Sequence, residues 1–152
     1  MITETIIEEI IGTYEANTDL LVQHTSQFME EHPTLLAYLE QESNTVLLDE
    51  EKDLQWYILV VCISAIERAG IELPTLEVEA LEYAEEQNWE VLDGAGGGKW
   101  RERVTPFFED YEQEDLLAFV EDMVELDEDS PITAVGREVI FITVKSALDC
   151  MV

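Results

Sequence analysis

The sequence predicts an all-α protein, a single domain of six or seven helices around one central apolar helix at roughly residues 50–69. The first observation is the run 54–66, in which Gln55 and Ser64 are the only plainly polar residues. A helix that is apolar on every side is surrounded by protein. Elsewhere, apolar residues recur every three or four positions, as they do on one face of a helix. A hydrophobic content of 47% over 152 residues is also enough to fill a core.

Two or three helices are predicted before the central one. The first begins near Thr3, because the apolar residues after it share one helical face: Ile6, Ile7, Ile10, Ile11 and Tyr14. The triplet 17–19 is either a helix break with a new N-cap or a solvated spot in one long helix. His32 ends that segment, because a residue before proline disfavours helical backbone. Pro33 then suits the first turn of the next helix.

The central helix has a predicted boundary at each end. Asp49 is the predicted N-cap, and the acidic residues after it complement the positive end of the helix dipole. The helix is predicted to end at Ala69, because Gly70 suits the left-handed backbone found after many helices. Pro74 and Thr75 then predict the start of the next helix, with Thr75 as its cap.

A glycine-rich segment at 93–99 divides the chain. Four of the five residues at 94–98 are glycine. Ordering so many glycines in a helix or strand costs much backbone entropy. The sequence therefore predicts a flexible loop there. The apolar stripes on either side are too thin to form separate cores. We therefore expect one domain, 1–152, with a larger N-terminal part and a smaller C-terminal part.

The second part carries three further predicted helix signals. Thr105-Pro106 and Ser130-Pro131 each combine a capping residue with a proline, and each predicts a helix start. Between them, residues 113–126 carry an apolar face of helical spacing. The run 139–144 is β-branched and has the propensity of a strand. The start signal before it and the helical residues after it favour a helix.

The strongest compositional signal is charge. Seven basic residues face 36 acidic ones, which gives a formal net charge of −29. Such a surface repels nucleic acid and anionic membranes, so neither is an expected partner. It attracts basic proteins and speeds their encounter. The alternative interpretation is that the acidity only maintains solubility or adapts the surface to salt.

A cytoplasmic location is expected, because residues 1–11 contain three glutamates and lack the basic start and long apolar run of a signal peptide. Cys62 and Cys150 both lie in apolar helical surroundings. Two cysteines so far apart are not typical of a secreted disulfide scaffold. We interpret both as buried free thiols.

No motif predicts catalysis, a metal or a cofactor. The segment 94–99 is comparable to a phosphate-binding loop, but Asp93 stands where that motif needs glycine and Trp100 where it needs serine or threonine. Di-metal helical bundles use Glu-x-x-His pairs. The residues three positions before His24 and His32 are a leucine and a methionine. The two histidines also have no evident activated nucleophile beside them.

Two groups of residues are candidates for binding or structural roles. The first group combines tryptophans with basic residues, which are common at interface hot spots: Trp89, Lys99, Trp100, Arg101 and Arg103. The favoured alternative is that this basic cluster docks on the protein's own acidic helices and joins the second part of the chain to the first. The second group is Arg68 and Arg137, each next to a glutamate in a largely apolar helix. We predict that at least one forms a buried or half-buried ion pair with another helix.

The sequence thus favours a non-enzymatic acidic interaction module that binds a basic protein, similar in charge to immunity proteins, chaperones or adaptors. The alternative is a small-ligand-binding protein or a hydrolase with a pocket between the two helical parts, gated by the glycine loop. A third interpretation is a structural subunit with Trp89 and Trp100 in an interface. Homo-oligomerisation is compatible with all three.

Overall fold

The computed structural model describes residues 1–41, 45–125, 130 and 132–152. These residues form eight helices and no strand. The helices are α1 (Glu4–Ala16), α2 (Thr18–Glu31), α3 (Pro33–Leu39), α4 (Asp49–Arg68), α5 (Val78–Gly94), α6 (Trp100–Phe108), α7 (Glu114–Met123) and α8 (Ala134–Met151). The prediction of an all-α bundle is confirmed.

The first three helices begin at residues that carry predicted start signals. The Thr3 side chain accepts a hydrogen bond from the backbone N–H of Ile6 and caps α1. The triplet 17–19 is a break, because the Asn17 side chain caps α2 by accepting from the N–H of Leu20 at 3.0 Å. Pro33 occupies the first turn of α3, where its missing N–H costs nothing.

Two helices occupy the centre of the bundle. α4 is the predicted central helix, and its residues 58–63 are all buried. α8 lies against it and is enclosed even more completely, with every residue from Val139 to Leu148 buried. The buried amide of Gln55 in α4 donates to the hydroxyl of Thr143 in α8 at 2.8 Å. The strand-like run 139–144 is therefore helical, and tertiary burial outweighs its β propensity.

A buried carboxylate joins the N-termini of the two central helices. Glu51 is fully buried and accepts from the N–H of Leu48, the N-cap of α4, at 2.8 Å. It also accepts from the N–H and the hydroxyl of Thr133, the N-cap of α8, at 2.9 and 3.0 Å. The predicted cap Asp49 is instead the first residue of α4.

Three predicted helix starts are wrong. Thr75 caps nothing, because 71–77 lie outside any helix and α5 begins at Val78. Thr105 lies inside α6, where its hydroxyl donates back to the carbonyl of Arg101, so Pro106 is near the end of a helix rather than its start. The cap of α8 is Thr133 instead of Ser130. Pro131 and the predicted end of the 113–126 helix, Leu126, lie outside the described residues.

Two glycines adopt the left-handed backbone conformation, which glycine reaches without the steric cost that other residues pay. Gly70 has a φ of +79°. The N–H groups of Gly70 and Ile71 bond to the carbonyls of Glu67 and Ile66, which is the Schellman arrangement and confirms the predicted end of α4. Gly96, with a φ of +75°, lies just beyond the end of α5.

The helices on both sides of the glycine-rich segment share one core. α4 packs on α7 and α8, and α1 packs on α7. The most extensive helix pair is α5 with α8. Within the described part of the chain, no helix is long and apolar enough to cross a membrane.

Candidate functional site

The predicted basic cluster lies against the protein's own C-terminal helices. The half-buried Arg103 forms an ion pair of 2.7 Å with Glu138 of α8. The exposed Arg101 lies 3.6 Å from Glu121 of α7. Lys99 is exposed at the N-cap of α6. These arginines thus dock on acidic residues of the protein's own helices, but both ion pairs lie within the second part of the chain and do not join it to the first.

Trp100 is the centre of this contact. Its ring packs edge-on against Phe141 of α8, with 5.4 Å between the ring centroids. The guanidinium of Arg137 lies over the same ring at 4.4 Å, a cation–π contact. Burial lowers the pKa of Arg137. Within the described residues, no carboxylate lies at ion-pair distance from it, so stacking replaces the expected pair.

A cleft of about 160 Å³ beside Trp100 is lined by Arg101, Arg137 and three carboxylates, those of Glu121, Asp122 and Glu125. Ligand pockets usually span roughly 300–1,000 Å³. This cleft is therefore smaller than a typical ligand pocket, and the residues that line it all belong to the C-terminal part, so it is not the predicted pocket between the two parts.

The other two predicted residues also bind within the protein. Arg68 of α4 pairs with Glu9 of α1 at 3.2 Å, and their side chains are 46% and 60% exposed. This pair joins two helices, as expected, but lies at the surface. The indole N–H of Trp89 donates to Glu85 at 3.2 Å, and the hydroxyl of Tyr38 donates to the other oxygen of that carboxylate at 2.5 Å.

Most cations of the chain are therefore engaged internally. Within the residues that the structure describes, four of the seven basic side chains form ion pairs, the fourth being Lys145 with Asp149 at 2.5 Å. Arg137 covers Trp100, while Lys52 and Lys99 are exposed. Seven cations cannot neutralise 36 acidic residues wherever they lie. The molecule consequently presents a strongly anionic surface.

A groove of about 350 Å³ runs between α1 and α7. Its floor is apolar and is formed by Ile7, Ile11, Ala118, Phe119 and Met123. Its walls are acidic and are formed by Glu4 and Glu8 on α1 and by Asp115 and Asp122 on α7. None of the residues that line it is basic. We refer to it as the acidic-walled groove.

Helical spacing produces this arrangement. Glu4 and Glu8 are four residues apart, so they lie on one side of α1. Asp115 and Asp122 are seven residues apart and share a side of α7 in the same way. The two helices are joined at one end, where the N–H of Glu4 donates to Asp115 at 3.1 Å.

A second cavity, of about 380 Å³, lies between α1, α2 and α4. A chain of three polar side chains crosses it. The hydroxyl of Tyr14 lies 2.7 Å from Nδ1 of His24 and 2.8 Å from the hydroxyl of Ser64. Glu67 and Arg68 also line the cavity. We refer to it as the tyrosine cavity.

Burial shifts the titration of groups in the tyrosine cavity. It raises the pKa of Tyr14, with a further increase from the charge of Glu67. It also raises the pKa of Glu67, where Glu31 adds to the effect and the two histidines oppose it. Ser64 contacts the tyrosine hydroxyl and not the imidazole directly. This geometry suits hydrogen bonding to a bound molecule better than nucleophilic catalysis, which needs a base next to the nucleophile.

Sequence reasoning missed the tyrosine cavity for a specific reason. The spacing of apolar residues places Tyr14 on the apolar face of α1, and Ser64 is one of only two plainly polar residues in the apolar run 54–66. A polar residue in a fully buried helix is itself a signal, since such groups find hydrogen-bond partners. The cavity also lies wholly within the N-terminal part, whereas the expected pocket was between the two parts.

Comparisons of the chain with protein-family models, with curated proteins and with solved structures found no match. Function therefore has to be argued from the chain's own residues.

Proposed function

We propose that this protein is a non-enzymatic interaction module that binds a basic protein partner through its acidic surface, in the manner of immunity proteins, chaperones or adaptors. The observation that carries the proposal is the net charge of −29 together with the internal engagement of most cations. The charged groups that remain for a partner to contact are therefore mostly carboxylates. Opposite charge on a partner would accelerate the encounter and exclude acidic competitors.

The proposal predicts a strong dependence on salt. The Debye length falls from about 30 Å at 0.01 M ionic strength to about 8 Å at 0.15 M, so distant surface charges lose their influence. An interaction steered by many carboxylates should therefore weaken steeply between these conditions. Apolar contacts alone would not weaken in this way.

The test is affinity capture from a lysate of the native host with the immobilised protein, first at low and then at high salt. An unrelated acidic protein of similar net charge serves as the control bait. The proposal expects one basic protein that is retained at low salt by this bait alone and released at high salt. Capture of the same proteins by both baits, or a partner whose binding is insensitive to salt, would contradict it.

A second candidate function is the binding of a small polar molecule in the tyrosine cavity. It is favoured by the volume of about 380 Å³ and by the convergence of Tyr14, His24 and Ser64. Small-ligand sites typically combine such a volume with a few convergent polar groups. It differs from the pocket predicted from the sequence in its position.

A ligand-observed NMR screen of small polar molecules tests this candidate. The variant His24→Phe keeps an aromatic ring beside Phe28 but removes the nitrogen that contacts Tyr14. Molecules that occupy the cavity should bind the wild type and lose binding in the variant. The control is Gln87→Ala on the exposed face of α5, which should retain binding. A screen without molecules that distinguish these variants would exclude the candidate.

A further inference from the structure

The acidic-walled groove combines two features that a partner protein can recognise. Its floor offers apolar side chains from two adjacent helices, and each wall carries two carboxylates. Of the floor residues, Ile11, Ala118 and Met123 are only partly buried, so apolar surface is accessible to a partner. The four wall residues are set at helical intervals, so the negative charge runs along the groove.

We infer that the acidic-walled groove is a docking site for a basic amphipathic helix of a partner protein. This inference rests on the proposed function and adds the surface and the kind of segment that it binds. An amphipathic helix places apolar residues at i, i+3, i+4 and i+7 into an apolar groove. Lysine or arginine residues on its flanks would then lie beside the carboxylates of α1 and α7.

Charge complementarity selects this occupant over others. A second copy of the chain carries the same net charge of −29 and would place carboxylates against carboxylates. Anionic membranes are repelled for the same reason. A basic helix is attracted by both walls while its apolar face covers the floor. The electrostatic and the apolar contacts are therefore both favourable.

The length of the groove also suits a helix. α7 has ten residues, which corresponds to about 15 Å at a rise of about 1.5 Å per residue. A docked helix would therefore contact the groove over about three turns, which is enough for anchors at i, i+3, i+4 and i+7. The hydrogen bond between Glu4 and Asp115 fixes the two walls at one end of the groove, so the site is formed before a partner arrives.

The test uses a synthetic helical peptide with leucine at i, i+3, i+4 and i+7 and lysine at most other positions. The control peptide has the same composition in scrambled order. Fluorescence anisotropy measures the binding of each peptide to the protein at physiological salt. The inference expects the amphipathic peptide to bind at least about tenfold more tightly than the scrambled one, because a tenfold difference needs only about 1.4 kcal/mol.

Matched variants distinguish the contribution of the groove to peptide binding from that of the protein's net charge. The double variant Glu8→Lys/Asp122→Lys reverses one carboxylate on each wall. The double variant Glu86→Lys/Glu90→Lys makes the same change in net charge on the exposed face of α5. The groove variant should weaken binding of the amphipathic peptide by at least about tenfold, and the α5 variant by less than about threefold, because screening limits the reach of distant charges.

A third variant, Ala118→Phe, fills the floor without changing charge. It should weaken binding of the amphipathic peptide and leave binding of the scrambled peptide unchanged. Circular dichroism and thermal melting establish that each variant is folded.

The outcomes separate the inference from the proposed function. If a basic partner is captured but both double variants weaken the peptide equally, or the two peptides bind alike, the groove inference fails and the proposed function stands. If a partner is captured and neither peptide binds, the inference fails in the same way. If no basic partner is captured and no peptide binds, both fail. A dimer at sedimentation equilibrium that only the groove variants dissociate would assign the groove to a second copy and overturn the inference.

Discussion

At Gly136 the backbone of α8 passes so close to Glu51 that no side chain fits. A Cβ atom built there would lie 1.6 Å from one carboxylate oxygen of Glu51. That oxygen accepts the hydrogen bonds from Thr133, so Glu51 cannot move without breaking them. Gly136→Ala should therefore lower the free energy of unfolding by about 2–4 kcal/mol, from overpacking and from lost hydrogen bonds to a buried carboxylate. Urea denaturation measures this change.

Gly12→Ala is the matched control for the same chemical change. Gly12 lies on the exposed side of α1, and a Cβ atom there would meet nothing within 4 Å. Alanine should raise the free energy of unfolding by about 0.5–1 kcal/mol, because glycine costs helix interiors this much. If Gly136→Ala were as stable as the wild type, the close packing of Gly136 on Glu51 would be incorrect.

At the scale of elements, the contact of α5 with α8 contains a polar network. The side chain of Lys145 is only 8% exposed, and its ammonium bonds to Asp149 at 2.5 Å and lies over the ring of Tyr111. Asn88 of α5 donates to Asp149 and to Ser146, both at 3.0 Å. Asp149 therefore joins the two helices and neutralises a buried cation.

Removing one partner of this ion pair should lower the free energy of unfolding more than removing the other. Asp149→Ala leaves the buried ammonium unpaired, and we expect a loss of about 2–3 kcal/mol, below the value for a fully buried pair because Asp149 is partly exposed. Lys145→Met keeps the volume of the side chain and leaves a carboxylate that Asn88 still binds, so its cost should be smaller. Urea denaturation of the two single variants and of the double variant measures these losses in the free energy of unfolding. A larger loss for Lys145→Met would contradict this account.

Local patterns in the sequence predict the elements better than their contacts. The all-round apolar character of 54–66 correctly predicts α4, and Gly70 correctly predicts its end. Thr75 has the local chemistry of a cap, but it is exposed and the chain stays outside any helix as far as Glu77, so the local signal alone does not set the start of α5. Partners such as Glu51 and Thr133 are 82 positions apart. No local pattern predicts such pairs, and the tyrosine cavity depends on pairs of the same kind.

At the scale of the whole molecule, buried tyrosines should make the fold sensitive to alkali. Burial raises the pKa of Tyr14, Tyr38, Tyr57 and Tyr111 above the usual value of 10.0. Above pH 10 the unfolded chain loses these protons while the folded chain keeps them, so stability falls as the pH rises. Below pH 10 this contribution is fully present. Urea midpoints measured from pH 8 upward should therefore fall above pH 10, and a constant midpoint would contradict the burial of these hydroxyls.

The acidic surface predicts that stability also depends on pH on the acidic side of neutrality, where lowering the pH should be stabilising. Crowded carboxylates repel one another in the folded chain more than in the expanded one. Burial also raises the pKa of Glu67 and Glu121 above the usual 4.5. The folded state therefore binds their protons more tightly, and stability should rise as the pH falls through their folded pKa values down to about 4.5.

Salt should act in the same direction as mild acid, because it screens the same repulsion. The melting temperature should rise from low to moderate salt, and it should rise less in Glu86→Lys/Glu90→Lys, which carries fewer mutually repelling charges. A melting temperature that falls with salt would mean that attractive ion pairs, such as that of Arg103 with Glu138, outweigh the repulsion. The few ion pairs of the surface would then contribute more to stability than the repulsion among the excess carboxylates removes.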